Sequence, residues 1–85
     1  MEVSKRLTRA REELSVAEEQ AEALEEVADD ARMRALVSET PLAAKESQEA
    51  RRHADAMSGA RESLAGQVRR LEEELNELLD KLVVG

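Results

Sequence analysis

The chain has 85 residues, a net charge of −7, no aromatic residue and no cysteine. Without Phe, Trp or Tyr it lacks the side chains that usually anchor the core of an enzyme. Without cysteine it can form neither a disulfide framework nor a thiolate metal site. The negative charge argues against general affinity for nucleic acid or anionic lipid, which carry the same sign of charge. A composition rich in Ala, Glu, Leu and Arg is typical of long helices, so we predict one all-α domain over residues 1–85.

The first predicted element is an amphipathic helix over residues 2–37. Small and apolar residues recur at alternating intervals of four and three, which is the heptad spacing of a coiled-coil seam. The positions are Val3, Leu7, Ala10, Leu14, Ala17, Ala21, Leu24, Ala28, Ala31 and Ala35. The pattern therefore predicts one long helix with a single apolar stripe.

The segment VSETPL, residues 37–42, interrupts this pattern and contains the only proline. The side-chain oxygen of Thr40 can cap a helix, and Pro41 suits a first helical position because it has no amide hydrogen to leave unpaired. The sequence therefore predicts a turn at residues 38–40. Because so short a connection returns the chain on itself, the second helix is predicted to run antiparallel to the first.

The second predicted helix covers residues 41–83 and repeats the heptad spacing. Its seam positions are Ala43, Ser47, Ala50, Ala54, Met57, Arg61, Leu64, Val68, Leu71, Leu75, Leu78 and Leu82. Folding the chain at the turn places residues at the same level when their numbers add to about 78. This register predicts ion pairs between Arg6 and Glu74 and between Arg34 and Glu46.

Arg61 is the one charged residue at a seam position of the second helix. It faces Ala17, whose small side chain leaves room for the arginine stem. We expect the stem to lie in the seam while the guanidinium reaches toward the acids of the first helix. A polar group in this position can fix the register of a coiled coil.

A lone hairpin with so much alanine in its seam removes little apolar surface from water, and scaffolds of this size usually gain stability by association. We therefore predict a homodimer that forms a four-helix bundle. Its contact surface could be the end of the second helix at Leu78 and Leu82, although a frayed terminus is the alternative. A second possibility is the small-residue stripe, where tolerance of small residues in solvent is the alternative. The stripe comprises Ala56, Gly59, Ser63 and Gly66.

The third possible contact surface is the tip of the hairpin, at Leu36, Glu39 and Leu42. Apolar residues concentrate there beyond what one seam can bury, which is typical of a contact surface. The alternative is that Leu36 and Leu42 pack on each other and close the end of the hairpin.

The residues that carry chemistry do not form a known motif. His53 is the only histidine, and Glu49 precedes it by four residues, whereas the di-iron motif of helical bundles needs Glu-x-x-His. There is no phosphate-binding glycine loop. We predict no catalytic residue, no metal and no cofactor. No stretch approaches the roughly 18 apolar residues of a membrane span, so we expect a cytoplasmic protein with no membrane contact.

The segment VADDARMRALVSETPLAAKE, residues 27–46, resembles a family of short actinobacterial helical-hairpin proteins to which no activity is assigned. The architecture also resembles the coiled-coil domain of Gre-type transcript cleavage factors, which insert a hairpin into the secondary channel of RNA polymerase. Those factors hold a magnesium ion with paired acids at the tip. Here the turn offers only Glu39, so the resemblance does not extend to transcript cleavage.

Two functions follow as hypotheses. The first is a non-enzymatic protein-interaction module, a self-associating hairpin that acts as a scaffold or adaptor for an unknown protein partner. The second is a regulator that binds RNA polymerase or the ribosome through the hairpin tip.

Overall fold

The computed structural model describes residues 1–84 as two α-helices, with no strand in that range. Helix α1 covers Glu2–Ser38 and helix α2 covers Pro41–Val84. Only Glu39 and Thr40 separate the two helices, which pack side by side in a hairpin 67 Å long and 14 by 13 Å in cross-section. The predicted all-α antiparallel hairpin is confirmed.

The helices meet along the predicted seam. All ten seam positions of α1 are buried or half-buried, and the same holds for all those of α2 except Leu82. An apolar cluster of the core lies toward the open end of the hairpin. Its buried members are Leu7, Ala10, Val68 and Leu71, and Leu14 and Leu75 pack against them. This cluster agrees with the predicted register, in which the numbers of facing residues add to about 78.

The half of the seam nearest the turn is built from smaller side chains. Its most buried residues are alanines, among them Ala28, Ala31 and Ala54. Alanine lets two helices approach closely, but each one removes little apolar area from water. The open end of the hairpin therefore contributes most of the hydrophobic stabilisation, and the turn end contributes mainly close packing.

Backbone geometry and capping define the turn. Glu39 follows α1 in the left-handed conformation, with φ 51° and ψ 33°, and its amide donates to the carbonyl oxygen of Ala35 at 3.1 Å. Thr40 then starts α2, because its Oγ1 accepts a hydrogen bond from the amide of Ala43 at 3.1 Å. The predicted cap is thus confirmed, and Pro41 occupies the first helical position.

Candidate interaction surfaces

One long side of the hairpin is lined by charged residues. We call this side the charged flank, and its ionic residues include Arg11, Glu25, Arg51, Asp55 and Glu72. Nη2 of Arg51 lies 2.6 Å from Oε2 of Glu25 across the seam, and Nε of Arg51 lies 3.1 Å from Oδ1 of Asp55. Toward the open end, Nη2 of Arg11 lies 3.2 Å from Oε2 of Glu72. These contacts tie α1 to α2 at two levels.

Arg51 also perturbs the acid it contacts. The hydrogen bond from its guanidinium holds the pKa of the Glu25 carboxyl below its ordinary value. The same hydrogen bond raises the pKa of Arg51. Both side chains are about half exposed, so solvent screens the pair and its role is mainly to set the register of the helices.

On the opposite long side of the hairpin, Glu13, Glu49 and His53 line two grooves. Between Glu13 and Asp30 on α1, and between His53 and Arg70 on α2, the outward residues of this side are uncharged, and we call that part the uncharged flank. It comprises Val16, Gln20, Ala23 and Val27 of α1 and Ala56, Ala60, Ser63 and Gln67 of α2. Heptad spacing places these residues on one side, and two shallow grooves on that side expose parts of the seam. Met57 and Leu64 line one groove, and Leu24 and Ala50 line the other.

The uncharged flank holds two large apolar residues that the seam does not cover. Val16 is 53% exposed and Val27 is 51% exposed. The sequence did not predict this face as a contact surface, because Val16 and Val27 are isolated apolar residues rather than part of an apolar run. The signal that could have identified it is the absence of charge at the outward positions of one side over two heptads, in a chain of which 39% is charged.

The tip of the hairpin exposes its apolar residues. Leu36 is 64% exposed, Leu42 is 66% exposed and Val37 is 83% exposed. Leu36 and Leu42 are therefore too open for the alternative in which they close the end of the hairpin against each other. Glu39 is exposed beside them at the apex.

The stripe of small residues on α2 is only partly open. Ala56, Gly59 and Ser63 are exposed, and a Cβ at Gly59 would meet nothing within 4 Å. Gly66 is half-buried, because guanidinium nitrogens of Arg69 and Arg70 lie 3.6 and 3.5 Å from where its Cβ would be. One end of the stripe is thus covered by side chains of its own helix.

The end of α2 extends beyond α1, as its length relative to α1 requires. Leu78 is half-buried, whereas Leu79 is 44% exposed and Leu82 is 76% exposed. Val83, which follows, is 86% exposed. We call residues 78–83 the overhang. Its apolar side chains at Leu79, Leu82 and Val83 are largely exposed to solvent.

Two predicted ion pairs do not form. Arg34 contacts Asp30 of its own helix at 3.5 Å instead of Glu46, because an acid four residues earlier is nearer than one across the seam. Arg6 forms no ion pair with Glu74 in the part of the chain that the structure describes.

Arg61 is half-buried and shares a groove with Glu18 and Glu22 of α1. Its Nη2 donates a hydrogen bond to Oγ of Ser58 at 3.2 Å, so the guanidinium is held by its own helix as well as lying beside the acids. His53 is exposed in the groove that Glu46 and Glu49 also line. Among residues 1–84, no three His, Asp or Glu side chains are placed to hold a metal ion together.

No protein-family model, curated protein or solved structure matches the chain. The resemblances to actinobacterial hairpin proteins and to Gre-type hairpins therefore stay predictions. Neither described helix has a segment long and apolar enough to cross a membrane.

Proposed function

We propose that this protein is a non-enzymatic interaction module, a helical hairpin that self-associates into a dimeric four-helix bundle and serves as a scaffold or adaptor. The observation that carries the proposal is the extent of its surface. The chain exposes 6459 Å², whereas a compact monomer of its mass of 9.4 kDa exposes about 5,000 Å².

The nature of that surface supports the same function. Most of the exposed large apolar side chains lie at three places, namely the tip, the uncharged flank and the overhang. Monomeric proteins tolerate single exposed apolar residues, but extended apolar surfaces usually mark sites of protein association. Association with a second helical pair would cover this surface without any change in the hairpin itself.

The experiment that tests this function is measurement of molar mass by light scattering over a range of protein concentrations. We expect a dimer, with a mass twice 9.4 kDa. The double substitution Leu78→Asp and Leu82→Asp should lower association while helicity, measured by circular dichroism, stays the same. A helical wild-type monomer at every concentration would contradict self-association.

The tip supports a second candidate function, the binding of RNA polymerase or the ribosome as a regulator. Leu36 and Leu42 are both about two-thirds exposed, and they flank the exposed acid Glu39. Substitution of all three should then abolish binding of purified polymerase or ribosomes and leave the molar mass unchanged. If the wild-type protein binds neither particle, this second function fails.

A further inference from the structure

The uncharged flank lies at the middle of the hairpin. Helix α1 covers Glu2–Ser38, so its central residue is Gln20, which is itself part of the flank. The uncharged residues of α2, from Ala56 to Gln67, lie at levels on both sides of Gln20 in the register of the hairpin. A two-fold axis near Gln20 would align two copies over the full length of α1, with Glu13 at the level of Val27 and Glu49 at the level of Gln67 of the other copy.

We propose that a second copy of this chain packs on the uncharged flank, antiparallel to the first, about a two-fold axis near Gln20. The inference rests on the proposed self-association and adds the face and the direction of the contact. In this dimer α1 lies against α1 of the other copy and α2 against α2, which completes a four-helix bundle.

The net charge of the chain favours this face for a copy of itself. Two copies each carry −7, so a contact through acidic surface would oppose carboxylates of the same sign. The charged flank exposes Glu18, Glu22 and Asp29 within the same two heptads. On the other side Glu49 is the one acid within those levels, and the small side chains of the uncharged flank let the helices of two copies approach to about 8–10 Å.

Charges beyond the two ends of the uncharged flank favour the antiparallel direction. At the open end this side carries Arg9 and Arg70, and toward the turn it carries Asp30 and Glu46. The antiparallel two-fold brings Arg9 to the level of Asp30 of the other copy, and Arg70 to the level of Glu46. Each basic residue thus meets an acid of the other copy.

The antiparallel arrangement also opposes Arg6 to Arg34 of the other copy, whose charge is offset by Asp30 at 3.5 Å on the same helix. The alternative is a same-direction arrangement, in which α1 lies against α2 of the other copy. It opposes Arg9 to Arg70 and Asp30 to Glu49, so that like charges meet at both ends. Opposition of like charges disfavours that direction.

The antiparallel dimer also brings together the other apolar surfaces. Val37 and Leu42, on the same side of the hairpin as the uncharged flank, lie at its tip. The two-fold places Leu42 of each copy at the level of Glu74 and Leu75 of the other, next to the start of the overhang at Leu78, whereas Leu82 extends past the turn. The side is 67 Å long and 14 Å wide, which is enough for the about 800 Å² per partner of a standard stable interface.

The face is tested by placing charge on it. The variant Val16→Glu with Val27→Glu adds two acids to the uncharged flank, and both positions are half exposed, so the hairpin can still fold. Its matched control, Ser15→Glu with Met33→Glu, adds the same two acids at exposed positions outside the flank. Molar mass by light scattering and helicity by circular dichroism are measured for both variants and for the wild type.

We expect a helical monomer for the Val16 and Val27 variant and a dimer for the control. A dimer for both variants, or a monomer for both, would overturn the inference while leaving self-association intact. A monomeric wild-type protein would overturn the inference together with the proposed function.

The direction is tested by charge reversal, which does not depend on the first variant being folded. Arg9→Glu alone should weaken the dimer about tenfold, since it opposes Asp30 in both symmetry-related contacts. Combining Arg9→Glu with Asp30→Arg should restore the affinity. Tighter association by Arg9→Glu alone would overturn the antiparallel direction, because same-direction packing opposes Arg9 to Arg70. No recovery in the double variant would overturn it as well.

Discussion

The two long sides of the hairpin share the same helices and the same length, but they differ in the chemistry beside the seam. On the charged flank, Arg51 joins Glu25 across the seam, and Arg11 joins Glu72. On the uncharged flank, Val16 and Val27 stay half exposed and no ion pair crosses the middle. The charged flank therefore joins α1 to α2, whereas the uncharged flank leaves apolar side chains exposed to solvent.

The largest effect is expected when the seam that the two flanks share is weakened. Leu7 is 3% exposed at the centre of the apolar cluster. Leu7→Ala should lower the free energy of unfolding by about 2–4 kcal/mol, because it removes buried methyl groups and leaves a cavity. Urea unfolding at one fixed protein concentration measures the loss.

Leu36→Ala is the matched control for that change, since it makes the same substitution at a residue that is 64% exposed. Its effect should stay within about 0.5 kcal/mol. Equal losses for the two variants would show that the apolar cluster is not the main source of stability.

A smaller effect on the free energy of unfolding is expected at Gly59. This residue lies on the outer face of α2 and belongs to neither flank. A Cβ there would contact nothing within 4 Å. Gly59→Ala should therefore raise the free energy of unfolding by about 0.5–1 kcal/mol through helix propensity alone. Light scattering should show an unchanged molar mass. A loss of the dimer would instead identify the small-residue stripe as the contact surface.

The smallest effect is expected on the charged flank, and it depends on pH. Because the pKa of Glu25 is lowered in the folded state, its ion pair with Arg51 stabilises the hairpin above the ordinary carboxyl pKa. That stabilisation is lost as the pH falls through the lowered pKa. Glu25→Gln should thus reduce the dependence of the urea midpoint on pH between about pH 7 and pH 3.

Glu22→Gln is the matched control, because Glu22 lies three residues away and forms no ion pair within the described residues. It should leave the acid dependence closer to that of the wild type. If the two variants titrate alike, the contact between Arg51 and Glu25 does not contribute to stability in solution.

The sequence predicted the seam and the turn because both depend on local patterns. Heptad spacing is imposed by helix geometry, and Thr40 with Pro41 carries the chemistry of a helix start. The left-handed Glu39 could not be predicted, because that conformation usually takes glycine and only the two-residue closure of the hairpin requires it here.

Side-chain partners on the surface were harder to predict than the backbone. Arg34 bonds Asp30 rather than Glu46, since several acids lie within reach of one long side chain and small differences in distance decide among them. The sequence predicted Leu36 and Leu42 at the tip but left open whether they pack on each other, and only the structure shows that they are exposed. The uncharged flank can be identified only by comparing the two sides of the hairpin, and that comparison needs the register of the folded helices.

The most direct test of the antiparallel dimer is the distance between the tips of two associated copies. The chain has no cysteine, so Ser38→Cys at the exposed end of α1 provides a single site for a spin label. Dipolar electron paramagnetic resonance then reports the distance between labels in the dimer.

An antiparallel dimer centred near Gln20 predicts a separation of about 55 Å, because each label lies about 18 residues from the axis at 1.5 Å per residue. A separation below about 30 Å would place both tips at the same end of the dimer, since packed helices lie only about 8–10 Å apart. That result, or the absence of a dipolar signal between labels on two copies, would contradict the antiparallel dimer.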